Sequence, residues 1–506
     1  MVAAMSRRAG ILCPLFSVPG NQGIGDLGQK TLKMIDAIAD AGYSVWQMLP
    51  LQHTGYSHSP YQTISSFAGD PIYINLDRLA EAGLLAQSSI VNCNKFRDYV
   101  DYEEVRKFKE VFFRRAFRSF KKNYADWKDE FEAFKKEAFW LDDWTYYYLF
   151  RTFYEGRPWN EWEEEYKNFP LEKDGEKQID LKQYQDEMLY IQFLQFMFYR
   201  QFDEVARYAR SKGVKLMGDV PFYVDYDSAD VWAMRENFLL DAKGNPRYVG
   251  GLPPDAFNAE GTRWGMPVYN FSAQQKNHYV YWMKRMKWME RCFDMVRLGH
   301  FRGFDTFWAI PARGTAAEGK WVLGPREELM HKIRVECPRL ELVAEVLGMM
   351  RPEVRELERE FSIPGMDVLQ YRMEARQLKR PVEEDVVLYT GTHDHASLEE
   401  LYGSFDNNRR ISLRRFFKKR GYPYRAFHDM VVHYALDTEA ELVMLPVQDI
   451  MGLKGQARTN NPAEDPETNW TWKLKDFKQL PKDLMKTREW VESSGRLPET
   501  KAAPSA

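Results

Sequence analysis

Three carboxylates stand where a chain can do chemistry: Glu345 in LVAEVLG, Asp394 in TGTHDHAS and Asp219 in MGDVPFYV. Each closes a short apolar run that reads as a buried strand. Cleaving a glycosidic bond takes two carboxyl groups. One protonates the departing oxygen. The other attacks the anomeric carbon when the pair lies ~5–5.5 Å apart, or activates water from farther away. Val343 and Val346 flank Glu345 and supply the apolar surroundings in which a carboxylic acid stays protonated. Structural readings stand beside these. Glu345 can be a strand-end charge paired with an arginine, Asp394 can cap the helix that begins near Leu398, and Asp219 can be half of a salt bridge. His393 and His395 add a metal reading, since an HxH pair on a strand puts both rings on one face. No acidic cluster elsewhere has ligand spacing.

The elements that must position these groups follow a rhythm of helix and short apolar strand. Helical spacing over 26–42 ends at Gly42 and leads into 44–51. A long helix over 185–212 precedes 214–224. A helix from 272, opened by a capping box of Ser272 and Gln275, leads into 297–304. A helix from about Pro325 leads into 340–348, and one opened by Pro352 into 366–371. Then come 386–394, a helix near 411–435, and 441–450. Alternating helices and buried parallel strands define an α/β fold. About seven such strands suit a (β/α)8 TIM-type barrel with helical insertions better than a six-stranded open sheet. No GxGxxG follows the first strand, which argues against a dinucleotide-binding fold. In a barrel the chemistry sits at the C-terminal strand ends, where MGDVPF, VAEVLG and TGTHD place their polar groups.

Composition narrows the function classes. The 506 residues carry a net charge of −3 and no long basic block, so nucleic-acid binding has no electrostatic support. Hydrophobic content of 44% and charged content of 29% suit a soluble globular chain. Aromatic residues are abundant, with 15 Trp, 28 Tyr and 32 Phe. Most fit a large core, while exposed rings can stack on sugar faces. Cys13, Cys93, Cys292 and Cys337 are scattered, with neither metal nor redox spacing, which predicts a reducing cytoplasm. The apolar run after Arg7 and Arg8 is too short for a signal peptide or a membrane span. These patterns predict a first barrel segment (1–85), a helical insertion rich in Lys, Glu and aromatics (86–184), the rest of the barrel (185–493) and a polar tail (494–506).

Several blocks carry a resemblance: ILCPLFSVPGNQGIGDLG (11–28), LPLQHTGYSHSPYQTISSFAGDP (49–71), GDVPFYVDYDSADVWA (218–233), GGLPPDAF (250–257), HFRGF (300–304), AEVLG (344–348), TGTHD (390–394) and GQARTNNP (455–462). Together they make the chain similar to 4-α-glucanotransferases of the amylomaltase (disproportionating enzyme) type, glycoside hydrolase family 77. The resemblance implies transfer of α-1,4-glucan segments between maltooligosaccharides by a retaining double displacement, with no cofactor and no metal. Carried over by motif, Glu345 is the acid/base and Asp394 the transition-state stabiliser. Asp219, Arg297, His300 and His393 line the donor sugar. Tyr61 and Trp264 are contact rings, Asn460 lies on the acceptor side, and 250–257 resembles a lid loop.

At the family's nucleophile position this chain has Gly299, within Arg297-Leu298-Gly299-His300-Phe301-Arg302. Strand alternation predicts that 297, 299 and 301 point one way. Asp294 has the wrong parity, and Asp305 follows the bend at Arg302–Gly303. Other motif positions depart as well: Val346 where the family has an acid, His395 for an asparagine, Gln52-His53, Gly265-Met266-Pro267 and Pro462-Ala463-Glu464. Three readings follow. The chain is an active glucan transferase that tolerates Gly299, a non-catalytic α-glucan-binding relative, or, remotely, a metal-dependent barrel hydrolase using His393 and His395.

Overall fold

The chain closes a ring of short strands that are apolar on both faces, which requires helices outside and a filled interior. The computed structural model describes residues 7–55, 57–90, 96–169, 179–255, 258–348, 350–464 and 467–498. Cys93, residues 256–257 of the lid-like stretch, parts of the 86–184 segment (91–95 and 170–178) and the tail from 499 lie outside the described residues. In chain order the strands are β1 (Arg8–Leu12), β2 (Val45–Gln47), β3 (Lys215–Val220), β4 (Tyr248–Leu252), β5 (Thr262–Pro267), β6 (Met295–Leu298), β7 (Thr306–Pro311), β8 (Lys320–Leu323), β9 (Glu341–Ala344), β10 (Gly365–Val368), β11 (Val386–Tyr389) and β12 (Leu442–Pro446). Eight of them form a closed parallel barrel in the order β1-β12-β11-β10-β9-β6-β3-β2. The chain is therefore a (β/α)8 barrel, as the alternation predicted.

The eighth strand is β1, which in sequence is only a short apolar run after Arg7 and Arg8. It pairs in parallel with β12 on one side and β2 on the other, and so closes the ring. Gly10 permits this closure. A Cβ there would stand 2.5 Å from Met444 Sδ and 2.8 Å from Val45 Cβ.

Several boundaries differ from the expectation. β6 stops at Leu298, β9 at Ala344 and β11 at Tyr389, so Gly299, Glu345 and Asp394 lie just beyond strands rather than in them. The expected 297/299/301 alternation ends there, because His300 is left-handed (φ 47°) and the buried Phe301 starts the turn into the helix Arg302–Asp305. The helix expected from 272 is two helices, Phe271–Lys276 and Val280–Cys292, broken where His278 and Tyr279 are left-handed. Its cap is Asn270, which accepts from Ala273 N, not the Ser272/Gln275 box. The helix near 411–435 is likewise split, into Asn407–Lys419 and Phe427–Asp437 around Gly421 (φ 96°). Pro325 caps the helix Arg326–Glu336 from outside, while Pro352 is the first residue of its helix, Pro352–Glu360.

Two additions flank the barrel. An antiparallel sheet of order β5-β4-β7-β8 rises on one side. Adjacent glycines, Gly250 and Gly251, interrupt the side-chain alternation of β4. The helices Tyr102–Lys122, Tyr124–Glu137 and Leu141–Phe153 come from the 86–184 segment. Lys109 fastens the first of these: its fully buried ammonium donates to Asp26 (3.1 Å) and to the carbonyls of Ile72 (2.7 Å) and Ile74 (2.8 Å). Among the described residues no helix is long and apolar enough to cross a membrane.

Removing one partner of a buried, hydrogen-bonded ion pair leaves the other charge uncompensated. Lys109→Met should therefore cost about 3–5 kcal/mol of unfolding free energy in a denaturant titration, and Asp26→Asn in the same chain should recover part of it. A loss below about 1 kcal/mol would mean that the pair does not anchor this helix.

Candidate active site

Arg297, the third residue of β6, gathers the strand ends. Its Nη1 donates to both oxygens of Asp219 (2.8 and 3.0 Å) at the end of β3, and its Nη2 pairs with Glu345 Oε1 (2.6 Å) just past β9. Asp219 also accepts from the Tyr61 hydroxyl (2.9 Å). The Tyr61 ring stacks on His393 (centroids 5.0 Å, 20°), whose Nε2 lies 3.4 Å from Asp394 Oδ2. Asn460 Nδ2 donates to Asp394 Oδ1 (2.6 Å), and Arg458 donates to the Asp394 carbonyl (3.1 Å). Residues far apart in sequence thus form one connected polar array at the C-terminal mouth of the barrel.

Burial and charge act against each other here. Burial works against the Arg297 cation, but Asp219 and Glu345 outweigh it and hold the guanidinium charged. Burial pushes the Asp219 carboxyl up, and Arg297 and His393 offset this only in part. For Asp394 burial acts upward too, yet His393, the Asn460 amide and Arg297 prevail and hold it below the usual carboxylate range. The group nearest Glu345 is not the expected apolar pair. Val343 and Val346 are buried, and the carboxylate instead meets Arg297 and the His300 backbone N–H, which donates to Oε2 at 2.5 Å.

Two alternatives from the sequence are displaced. Ser397, not Asp394, caps the helix Leu398–Ser404 by accepting from Glu400 N (3.3 Å). His393 and His395 lie in the turn after β11, so strand alternation does not align them. His395 instead folds back, its N donating to Thr392 O (3.1 Å) and its Nδ1 lying 2.7 Å from Thr392 Oγ1. Among the described residues no group of three or more His, Cys, Asp or Glu is placed to hold a metal ion. The arginine partner weighed for Glu345 and the salt bridge weighed for Asp219 are both present, and both are made by Arg297.

Gly299 follows β6 and donates its N–H to Val220 O (2.9 Å). A Cβ built on it would lie 3.3 Å from Val220 O, 3.5 Å from Pro221 Cα and 3.7 Å from Glu345 Oε2. A side chain at 299 thus faces Glu345 and fits with a shift of a few tenths of an ångström. The other acids of this segment are engaged elsewhere. Asp294 precedes β6 and accepts from Leu216 N (3.0 Å) and Arg210 (2.9 Å). Asp305 is fully buried against Arg326 (3.0 Å) and Arg351 (3.3 Å).

A ring cluster borders the array. Trp264 on β5 meets His300 edge-to-face (5.0 Å, 84°), and Tyr223 lies 5.8 Å from Trp264 and 6.2 Å from His300. The Tyr223 hydroxyl and His300 Nε2 are buried with no hydrogen-bond partner among the described residues. The sequence reading did not single out Tyr223 or Arg458, although both sit inside quoted blocks, GDVPFYV and GQARTNNP. Nor did it find Tyr371, an exposed ring set against His395 (5.2 Å, 70°).

Fold and site together define a (β/α)8-barrel protein with a carboxylate array at its C-terminal mouth. The 4-alpha-glucanotransferase model of glycoside hydrolase family 77 matches residues 13–479, and the chain belongs to that family. It is 35% identical to a 4-alpha-glucanotransferase of Thermus thermophilus, over 97% of this chain and 100% of the relative. It is 33% identical to a chloroplastic/amyloplastic 4-alpha-glucanotransferase of Solanum tuberosum, over 97% and 87%. In structure it is similar to an amylomaltase from Streptococcus agalactiae in complex with acarbose, with a TM-score of 0.89, 25% identity, and coverage of 97% of this chain and 100% of that one.

Burial pushes the His300 imidazole down to about 4. Between that value and about 6.5 the unfolded chain binds a proton that the native state refuses, so stability falls as pH is lowered through this window. His300→Asn keeps a residue type tolerant of the left-handed backbone. It should reduce the slope of unfolding free energy against pH by about 1.4 kcal/mol per unit between pH 4.5 and 6.5 in urea titrations. An unchanged slope would show that native His300 protonates freely.

Proposed function

We propose that this chain binds α-1,4-glucans, maltooligosaccharides among them, at the Glu345–Asp219–Asp394 array, and that it transfers glucan segments very slowly because the nucleophile position is Gly299. The carrying observation is the 3.7 Å from a Cβ at 299 to Glu345 Oε2. A carboxylate reaching out from that point would face Glu345 across a glycosidic bond, at a spacing compatible with the ~5–5.5 Å of a retaining pair. In this reading Glu345 gives its proton to the departing O4 and later takes one from the acceptor hydroxyl. Asp394 stabilises the distorted donor ring. Tyr61, Asp219, Arg297, His300, His393 and Trp264 hold the donor sugar, and Asn460 aligns Asp394 toward the acceptor side. The stretch 250–257 is read as a lid and 86–184 as an insertion of the barrel. The acarbose bound by the Streptococcus agalactiae relative supports the ligand class. The scattered cysteines support a cytoplasmic setting, and Cys13, Cys292 and Cys337 are free and buried.

Magnitude favours slow turnover over loss of binding. Removing the nucleophile of a covalent-catalysis enzyme costs about 10⁶-fold in turnover, roughly 8 kcal/mol of barrier, whereas most sugar contacts come from residues still present. Maltotriose disproportionation should therefore be slower than in Gly299→Asp by several orders of magnitude, with acarbose binding retained in both. Azide should also restore bond cleavage. It would attack the anomeric carbon from the side that residue 299 faces, O4 would leave with the proton of Glu345, and the product would be the β-glycosyl azide. Rapid disproportionation by the unaltered chain would sink the proposal. Absence of rescue by both Gly299→Asp and azide would mean that the other departures, Val346 and His395 among them, have dismantled the site and that the chain only binds glucan.

A further inference from the structure

The loop Thr390–Leu398 carries His393 and Asp394, and neither strand nor helix supports it between β11 and the helix Leu398–Ser404. Its two ends meet in one carboxylate. Asp449 Oδ2 accepts from Thr390 Oγ1 (2.6 Å), and Oδ1 accepts from the Leu398 backbone N–H (2.7 Å). Asp449 is buried in the helical turn Val447–Ile450 directly after β12. Neighbouring bonds complete a frame. Ser397 Oγ donates to Leu453 O (2.7 Å), Gln448 Nε2 donates to Ala457 O and Thr459 Oγ1 (3.0 Å each), and Asn460 N donates to His393 O (3.1 Å).

We propose that Asp449 is a positioning residue for Asp394: its carboxylate clamps both ends of the Thr390–Leu398 loop, and protonating it loosens the loop and weakens donor-sugar binding. The donor-sugar half rests on the placement of Asp394 given above. An ionised acceptor makes hydrogen bonds roughly twice as strong as a neutral one, so the clamp is strongest when Asp449 is charged. Burial pushes this carboxyl up to about 6, against the opposing bonds from Thr390 and Leu398 and the charge of His428, while Glu399 reinforces the rise.

The charged groups around it come from three helices, from the loop itself and from the segment that holds Arg458. Glu399 stands on the helix Leu398–Ser404. His428 and Asp429 stand on the helix Phe427–Asp437, with His428 Nδ1 2.7 Å from Glu399 and Nε2 3.4 Å from Asp429. Lys486, on the helix Leu480–Ser493, neutralises Asp429 (2.6 Å). His393, His395 and Arg458 line the same small cavity as Asp449 from the loop side. The His428–Glu399 and Lys486–Asp429 pairs satisfy one another, which leaves Asp449 as the carboxylate bonded to both loop ends.

Hydrogen exchange of the intact chain tests this, with amide protection over 391–398 corrected for intrinsic rates and acarbose affinity measured alongside. Protection should fall about tenfold between pH 7.5 and 5, with a midpoint near 6, and acarbose affinity should fall in parallel. Asp449→Asn should show the low protection at both pH values. Thr390→Val removes one of the bonds that hold the carboxyl down and should move the midpoint upward, which keeps a test available if Asp449→Asn does not fold. A step that persists in Asp449→Asn, or that His428→Gln abolishes while Asp449→Asn leaves it intact, overturns the clamp. A normal loop response with acarbose affinity independent of pH overturns the placement of Asp394 at the donor sugar and leaves the clamp standing.

Discussion

A guanidinium taken out of water must be repaid by carboxylates in contact, and Arg297 is such a group. Its two partners are Asp219 at the end of β3 and Glu345 just past β9, so satisfying one cation fixes the relative positions of β3, β6 and β9 at their C-terminal ends. Tyr61 then has to meet Asp219, and His393 stacks on Tyr61, which brings in the loop after β11. A buried ion pair is weak evidence for stability, because desolvation consumes most of its Coulomb energy. Here three charges from three strand ends leave few other arrangements free of an unpaired charge. The array is better read as a constraint on geometry than as a source of stability.

The groups of this array lie at or just beyond the strand ends. Strand pairing occupies the backbone up to Leu298, Ala344 and Tyr389, and past those points the chain must turn outward over the barrel rim. His300 makes its turn in the left-handed region, which frees its N–H for Glu345 Oε2. Main-chain geometry at the rim therefore acts directly on the carboxylate, so the turn and the carboxylate form one unit.

A glycine at 299 disturbs little of this structure. The backbone there keeps its bond to Val220 O, and the space beside Glu345 admits a side chain with only a small shift. Asp294 and Asp305 are tied to arginines away from this space. The bonds that join Tyr61, Asp219, Arg297, Glu345, Asp394 and Asn460 do not involve the residue 299 side-chain position. The departures at Val346 and His395 fall on the same rim. Val346 is buried beside Gly365, while His395 has turned to Thr392.

The alternating pattern was enough to place this chain among (β/α)8 barrels, the shared motifs brought out Glu345, Asp394 and Asp219, and the residues just before HFRGF brought out Arg297 and Gly299. Periodicity reports whether a segment is buried and how it is spaced, and both are local. It did not reveal β1, because a run of five residues that begins at Arg8 becomes a strand only when β2 and β12 lie on either side of it. It did not reveal the sheet of β4, β5, β7 and β8, because adjacent glycines interrupt β4, β7 is a continuous apolar run and β8 is only four residues long. It gave Glu345 apolar neighbours, because valines adjoin it in sequence, whereas an arginine from another strand adjoins it in space. Residue types and their order thus determined the fold class and the available chemical groups by themselves. Which of those groups touch was decided only by tertiary structure, since the register between distant strands follows from burying Arg297 and closing the barrel, and no local stretch of sequence encodes either.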